Sequence, residues 1–194
     1  MSFDNVPIEF VFNTPELANT IYLDRDGVIN ETILRKGKLS SPRNKKEFIL
    51  FEDLKVFKST FFQKNRFNIV IVSNQPDLSR GIISLKLMEY FHKLIRNSIN
   101  IDVIYLCPHT RSYNCSCRKP KNGMINCFRR KFIQKKGIEL MIGDQDVDRV
   151  CALDSSIPFI LKNRQYNVSI ANKCKFLIND LTELSNLISF NKFI

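Results

Sequence analysis

The sequence predicts an α/β fold with a mostly parallel sheet, and three observations support this prediction. Short apolar runs alternate with longer amphipathic stretches along the 194 residues. Each run is too short for a helix and is rich in Ile and Val, as expected of strands that are buried on both faces. Polar residues able to do chemistry follow several runs directly, and ligands of parallel sheets bind at the carboxyl ends of the strands.

The predicted elements follow from these patterns in chain order. We predict strands at residues 20–23, 69–72, 103–106, 140–142, 159–161 and 176–178. Ser84 is a good helix N-cap, and apolar residues repeat at helical spacing from position 87 to position 95. Further helices are predicted over 124–132 and 181–188. Strands and helices that alternate in this way predict a three-layer sheet with helices on both faces.

Composition and length are those of one globular domain. Hydrophobic content is 44% and charged content is 25%, which excludes wholesale disorder and collagen-like repeats. No window approaches about 18 uninterrupted apolar residues, so we expect no membrane span. The first twenty residues contain Asp4, Glu9 and Glu16 but no Lys or Arg, so they lack the basic segment of a secretory signal. We expect a cytoplasmic protein.

The net charge of +11 has two interpretations. Basic residues cluster at 35–46 and at 129–136, as they would in a surface that attracts nucleic acid or phosphorylated substrates. The alternative is compositional drift: Lys, Asn, Ile and Phe are plentiful while Trp is absent, as an A+T-rich coding sequence would give. We favour drift, because charge alone identifies no partner.

Two carboxylates follow the first predicted strand in the segment Asp24-Arg25-Asp26-Gly27. Alternate residues of an extended segment have different surroundings, so one carboxylate can act as a metal-bound nucleophile and the other as a general acid/base. A calcium loop would need Gly at its sixth position, whereas here Gly is fourth. A solvated turn with two Asp is the remaining alternative.

Three further segments could take part in the same chemistry. Ser73 to Gln75 could donate hydrogen bonds to an oxyanion, although such residues are also common in loops. Gly143 to Asp148 contains three carboxylates suited to Mg²⁺, or to the dipole of a following helix. Lys119, next to Pro120, could neutralise a phosphoryl group, or it could belong to a surface charge run.

Three of the six cysteines lie close together with one of the two histidines. Three thiolates and one imidazole make a closed tetrahedral set for a structural Zn²⁺. Chance clustering is the alternative, and the other three cysteines are expected to be core thiols. The predicted zinc ligands are Cys107, His109, Cys115 and Cys117.

The order of these motifs resembles the haloacid dehalogenase superfamily. With the cysteine loop included, the sequence looks like the D-glycero-D-manno-heptose 1,7-bisphosphate phosphatases, to which the phosphatase domain of histidinol-phosphate phosphatase is related. The resemblance covers roughly residues 20 to 185. It implies an extension at residues 1–19, a phosphatase domain at 20–194 with the zinc loop 107–117 inserted, and no large cap domain.

The resemblance also implies the roles of individual residues. Asp24 would be the nucleophile that forms an aspartyl-phosphate, and Asp26 would be the general acid/base. Mg²⁺ would be held by Asp24, the backbone carbonyl of Asp26, and Asp144. Ser73 and Lys119 would hold the phosphoryl oxygens.

Substrate contacts are implied for Asn74, Arg80 and Arg118, with the zinc loop and the 26–48 loop forming the rim. The sequence departs from the family beside the substrate, where Pro76-Asp77-Leu78-Ser79-Arg80-Gly81 follows Gln75 and where Gln145 follows Asp144. The implied function is a Mg²⁺-dependent phosphomonoesterase with a structural zinc.

The expected substrate is a small phosphorylated sugar of the heptose 1,7-bisphosphate type, and the protein is expected to be a monomer. Alternatives are a histidinol-phosphate or other small-metabolite phosphatase, a nucleic-acid 3′-end phosphatase, and a zinc-bearing nucleic-acid-binding module. We do not expect nucleic acid or a membrane as a partner.

Overall fold

The computed structural model describes residues 4–64, 67–132 and 137–189. Within these ranges, seven strands form one sheet and two more form a hairpin. In chain order the strands are β1 (Ile8–Val11), β2 (Thr20–Leu23), β3 (Ile33–Arg35), β4 (Lys38–Ser40), β5 (Asn68–Asn74), β6 (Val103–Cys107), β7 (Glu139–Gly143), β8 (Phe159–Lys162) and β9 (Phe176–Ile178).

The main sheet has the order β1-β6-β5-β2-β7-β8-β9. Every neighbouring pair is parallel except β1 with β6. All six predicted strands are present, and the mostly parallel α/β fold is confirmed. β2 lies in the middle of the sheet, so residues that follow it are flanked by the ends of β5 and β7.

Helices connect the parallel strands, as crossovers between parallel strands require. They are α1 (Asp53–Lys64), α2 (Leu85–Ser98), α3 (Gly123–Phe132), α4 (Asp146–Asp154) and α5 (Val168–Ala171), and a further helix, α6 (Leu184–Ser189), follows β9. Ser84 caps α2, and its side chain accepts a hydrogen bond from the backbone N–H of Leu87. The predicted helix over 181–188 begins with a 3₁₀ turn, Leu181–Glu183, before α6.

Two apolar clusters, one on each face of the sheet, give the three layers. Ile21 and Leu23 of β2 belong to the cluster that includes residues of α1, α2 and α6. Tyr22, between them, belongs to the cluster formed with α3 and α4. This period of two buries each face of the strand against helices, so the expectation of helices on both faces is confirmed.

The N-terminal segment contributes a strand to the sheet. β1 pairs antiparallel with β6, and Ile8 and Phe10 pack against the same cluster as α2. The boundary placed after residue 19 stays a prediction, although the structure joins residues on both sides of it in one sheet. Residues 133–136, which end the second basic cluster, lie outside the described part of the chain.

The segment between β2 and α1 is compact. Within it β3 and β4 form a hairpin of two short strands, which is far smaller than a cap domain. None of the helices in the described ranges has the length and apolar character needed to span a bilayer.

A buried ion pair joins β8 to α1. Lys162 donates to Asp53 at 2.5 Å and to the carbonyl of Val28 at 3.0 Å. Burial lowers the pKa of Lys162 to about 8, against the opposing effect of the Asp53 carboxylate.

Replacing Asp53 by Asn should therefore destabilise the fold most where Lys162 is charged. We expect urea unfolding at pH 7 to show a loss of about 3 kcal/mol, the usual cost of leaving a buried charge unpaired. At pH 9.5, above the pKa of Lys162, the loss should be smaller because the amine is then neutral in the folded state. A double variant with Lys162→Met should recover stability at pH 7; an equal loss at both pH values would contradict the argument.

Candidate active site

The predicted site residues converge at the carboxyl ends of three adjacent strands. Asp24 follows β2, Ser73 lies in the last part of β5, and Asp144 follows β7. Lys119 reaches the same place from the loop between β6 and α3, and all four residues are buried. The parallel order of the strands is what brings residues so distant in sequence together.

The ammonium group of Lys119 lies between two carboxylates. It donates to Asp24 Oδ1 at 2.5 Å and to the carbonyl of Val72 at 2.7 Å, and it lies 2.7 Å from Asp148 Oδ1. Burial alone would lower the pKa of Lys119, but Asp148 and Asp24 raise it above its usual value. Lys119 therefore remains a cation at the bottom of the site.

Three carboxylates, Asp24, Asp144 and Asp148, have oxygens within 4.8 Å of one another. Burial raises the pKa of Asp24 to about 7, against the opposing charge of Lys119. Burial, Asp24 and Asp148 also raise the pKa of Asp144 well above its ordinary value. Asp144 Oδ1 is buried and has no hydrogen-bond partner in the described chain. A divalent cation with oxygen ligands, such as Mg²⁺, fits this cluster.

Asp148 was not among the predicted site residues. It lies in the first turn of α4, and its Oδ2 accepts a hydrogen bond from the backbone N–H of Gln145 at 3.1 Å. The signal was present in the sequence, because Asp148 stands only four residues after Asp144, and the first turn of the helix that begins between them keeps its side chain at the same edge of the sheet.

Asp26 has surroundings different from those of Asp24. Arg25, which is fully buried, donates to it at 2.8 to 3.1 Å. Asn30, Ser41 and Gln75 donate to it at 2.7 to 2.8 Å. Burial would raise the pKa of Asp26, but the charge of Arg25 and these hydrogen bonds together lower it. Asp26 is therefore held as an oriented anion.

The two polar residues that end β5 have separate partners. Ser73 Oγ accepts a hydrogen bond from Gln75 Nε2 at 2.9 Å. Asn74 donates to the carbonyl of Lys119 and accepts from its N–H, both at 3.0 Å. Its amide thus fixes the backbone of Lys119, a pairing for which the sequence contains no signal. The substrate contact predicted for Asn74 stays a prediction, since Asn74 also lines the cavity described next.

A cavity of about 340 Å³ opens above these residues. Leu39 and Ser41, from the segment around the β3–β4 hairpin, line it together with Arg111 and Arg118 of the cysteine loop. Arg80 lines it as well, so the two predicted rim segments and two predicted substrate-contacting arginines all face the same space. Three arginines at the mouth make the cavity attractive to anions.

The four predicted zinc ligands form a buried cluster beside the cavity. The Sγ atom of Cys115 lies 3.6 Å from that of Cys107 and 3.5 Å from that of Cys117. His109 Nδ1 lies 3.3 and 3.6 Å from two of these sulfurs. Sulfurs that bind one Zn²⁺ tetrahedrally at about 2.3 Å are about 3.8 Å apart, and the donors lie within a few tenths of an ångström of that spacing, so the set fits that ion.

The N-terminal segment contacts this cluster from outside. His109 Nε2 lies 2.9 Å from the carbonyl of Asp4, and Ser116 donates from its backbone N–H to Asn5 at 3.2 Å. A histidine that ligates a metal through one nitrogen usually donates its other N–H to a carbonyl or carboxylate. The Asp4 carbonyl meets that requirement for His109.

Solved structures with this arrangement of strands include the D,D-heptose 1,7-bisphosphate phosphatase from B. bronchiseptica, complexed with magnesium and phosphate. It superposes with a TM-score of 0.72 over 89% of this chain and 99% of its own, at 21% sequence identity. At that level of identity the likeness shows the fold.

Two relatives are more similar in sequence. A probable D-glycero-D-manno-heptose-1,7-bisphosphate 7-phosphatase of Thermoplasma acidophilum is 31% identical in an alignment of 155 residues that covers 74% of this chain and 89% of the relative. The D-glycero-beta-D-manno-heptose-1,7-bisphosphate 7-phosphatase of Helicobacter pylori is 31% identical in an alignment of 147 residues that covers 71% of this chain and 79% of the relative.

The fold and the site define a phosphatase of the haloacid dehalogenase superfamily, a hydrolase of phosphoric monoesters. Within that class, the chain belongs to the polynucleotide kinase 3 phosphatase family, whose model matches residues 21–173. The resemblance drawn from the order of the motifs is thus confirmed.

Replacing Gly27 by Ala should displace Asp144. Gly27 has φ +94°, and a Cβ built on it would lie 2.2 Å from Asp144 Oδ2 and 2.6 Å from the Tyr166 hydroxyl, which donates to that oxygen. Gly37, with φ +71° and no atom within 4 Å of its Cβ position, is the matched control. Both variants should lose about 1 kcal/mol from the backbone conformation.

Only Gly27→Ala should lose further stability and also reduce the rise in melting temperature that Mg²⁺ produces. Differential scanning fluorimetry with and without Mg²⁺ measures both effects. Equal behaviour of the two variants would contradict the role of Gly27 in seating Asp144.

Proposed function

We propose that this phosphatase removes the 7-phosphate of D-glycero-D-manno-heptose 1,7-bisphosphate through an aspartyl-phosphate intermediate. The observation that carries the proposal is the buried Asp24 carboxylate at the bottom of a cavity, where it belongs to the acidic cluster and accepts a hydrogen bond from the Lys119 cation. Relatives that match most of their own length to this chain bear the corresponding name.

Mg²⁺ would be held by Asp24, the backbone carbonyl of Asp26, and Asp144, with Asp148 beside them. The donor set supports this assignment, since the cluster consists of carboxylates and includes the unpartnered Oδ1 of Asp144. When bound, the ion would supply positive charge next to the transferring phosphoryl group.

Asp24 attacks phosphorus with one carboxylate oxygen. A new O–P bond forms while the bond to the sugar oxygen breaks, and the leaving alkoxide takes a proton from Asp26. In the second half-reaction, water attacks the phosphorus of the acyl phosphate and gives a proton to Asp26, and the bond to Asp24 breaks to release phosphate. The covalent route divides one difficult hydrolysis into two displacements.

The surroundings of Asp26 support a role as acid and base. In the resting site it is an anion, the form that accepts a proton from water. An incoming phosphate adds negative charge, and a nearby like charge raises the pKa of a carboxyl group. Substrate binding would therefore favour protonation of Asp26 before the leaving group departs.

Lys119 and Ser73 would hold the phosphoryl oxygens. Both are buried beside Asp24, and a fixed cation in a dry site stabilises developing negative charge more than it would in water. Asn74 would act through the backbone of Lys119, while Arg80 and Arg118 would contact the rest of the substrate at the cavity mouth.

We infer that Cys107, His109, Cys115 and Cys117 bind a structural Zn²⁺. Four buried donors in a closed set leave no open position for water, as in structural rather than catalytic zinc sites. The ion would stiffen the loop that places Arg111 and Arg118 at the cavity.

The family description and the net charge of +11 favour one second candidate, a phosphatase of nucleic-acid 3′ ends. Histidinol phosphate remains a further small-metabolite alternative. A monomeric state and a cytoplasmic location stay predictions.

The proposed substrate is tested by phosphate release with Mg²⁺ across a panel. It includes both anomers of heptose 1,7-bisphosphate, histidinol phosphate, other sugar phosphates and 3′-phosphorylated oligonucleotides. We expect one heptose anomer to have the highest kcat/KM, by about a hundredfold, equivalent to about 2.7 kcal/mol. Highest activity on oligonucleotide ends, or equal slow rates throughout, would overturn the substrate assignment.

Asp24→Asn serves as the mechanistic control in the same panel. It should abolish turnover of every substrate while leaving the circular dichroism spectrum and zinc content unchanged, because the amide is not a nucleophile. Activity retained by this variant would contradict the covalent route.

Replacing Cys115 by Ser tests the zinc assignment. We expect the variant to lose bound zinc, measured by plasma emission spectroscopy, and to unfold at a lower temperature. Its kcat/KM should fall more for the preferred sugar than for p-nitrophenyl phosphate, because the loop forms the rim and not the reacting centre. Cys174→Ser, at a half-buried cysteine outside the cluster, is the control. Full zinc content in Cys115→Ser would contradict the assignment.

A further inference from the structure

Asp77 is a buried carboxylate shared by two arginines. Its Oδ2 accepts from Arg43 Nε at 2.7 Å, and its Oδ1 accepts from Arg80 at 3.1 Å. The Asp77 side chain is only 6% exposed. It lies in the segment Pro76 to Gly81, which follows Gln75 directly.

The bond to Arg43 joins two loops that meet over the site. Arg43 belongs to the segment after the β3–β4 hairpin, and Asp77 belongs to the loop after β5. Two residues before Arg43, Ser41 donates from its hydroxyl to Asp26 Oδ2 at 2.7 Å. The Arg43–Asp77 ion pair therefore fixes the short segment Ser41–Arg43, whose Ser41 hydroxyl donates to Asp26, the predicted general acid/base.

The segment Ser41–Arg43 also forms hydrogen bonds with other residues between β2 and α1. Arg35 donates to the carbonyl of Ser41 at 2.8 Å, and Glu47 accepts from the backbone N–H of Arg43 at 2.7 Å. Both belong to the same stretch between β2 and α1, so they shape the segment without fixing it to the sheet. The ion pair with Asp77 attaches the segment to the loop that follows β5.

We propose that Asp77 is a positioning residue for general acid catalysis: by bonding Arg43 it seats the Ser41–Arg43 segment so that Ser41 orients the Asp26 carboxyl toward the leaving group. Arg80, bonded to the other oxygen, is held at the cavity mouth by the same carboxylate. The inference rests on the proposed role of Asp26.

Leaving-group dependence separates positioning of the acid from general structural damage. An alkoxide leaves only when protonated, whereas p-nitrophenolate leaves without a proton. The parameter kcat/KM reports the steps up to departure of the leaving group, so it excludes the later hydrolysis of the acyl phosphate.

The experiment compares kcat/KM for the fastest alkyl phosphate of the panel with kcat/KM for p-nitrophenyl phosphate. In Asp77→Asn we expect about a tenfold fall for the alkyl phosphate and less than a twofold fall for the aryl phosphate. Ser41→Ala and Arg43→Ala should each reproduce that pattern. Because Asp77, Arg43 and Ser41 act through the same chain of contacts, the double variant Asp77→Asn/Arg43→Ala should have a kcat/KM no lower than that of either single variant.

Two further variants serve as controls for a loss of activity that comes only from lower stability. Asp77→Glu keeps the charge and should recover much of the alkyl phosphate activity. Glu139→Gln removes a carboxylate that Arg129 and Tyr22 contact at the far end of β7. It should lower thermal stability and leave both kcat/KM values unchanged.

The outcomes distinguish this inference from the proposed function. If Asp26→Asn is selective for the alkyl phosphate while Asp77→Asn lowers both activities equally, Asp77 has only a structural role and the inference fails alone. If Asp26→Asn itself lowers both activities equally, the acid role fails and the inference fails with it. An unchanged Arg43→Ala variant would also overturn the inference, since it would assign the effect of Asp77 to its other partner, Arg80, at the cavity mouth.

Discussion

The site depends on one buried cation, the Lys119 ammonium group, placed between Asp24 and Asp148. Asp24 and Asp144 at adjacent strand ends and Asp148 in the first turn of α4 repel one another and lose hydration on burial, so they can share this position only with positive charge among them. Lys119 supplies part of that positive charge from the loop between β6 and α3, and Asn74 fixes the backbone of Lys119. The Asp144 oxygen that has no hydrogen-bond partner in the described chain shows that Lys119 does not balance all of this negative charge, and the cluster therefore suits a cation.

Sequence patterns predicted the elements that local physical chemistry determines. A run such as Ile69 to Val72 can be buried on both faces only as a strand, and Ser84 before an apolar periodicity of 3.6 marks a helix start. The convergence of Asp24, Ser73 and Asp144 followed from the fold class, since parallel strands end at one edge of the sheet. The sequence spacing of Cys107, His109, Cys115 and Cys117 was enough to predict that their side chains come together.

Features that arise from tertiary contacts were not predictable in this way. The strand at Ile8–Val11 is short and half-buried, and only its partner β6 defines it. Asn74 gave no indication of its pairing with the Lys119 backbone, which lies 45 residues away. The sequence likewise contained no indication that Asp148 would form an ion pair with Lys119.

The antiparallel strand β1 affects whether molecules of this protein can associate in solution by pairing their strands. Without it, the five residues of β6 would present unpaired backbone groups at the border of the sheet, a template for strands of other molecules. β1 is only four residues long, and its Glu9 forms an ion pair with Lys131 and accepts a hydrogen bond from Tyr105. The opposite border, β9, has three residues. The two edge strands are short and one of them carries charged side chains, so they discourage intermolecular strand pairing and thereby protect this sheet against aggregation.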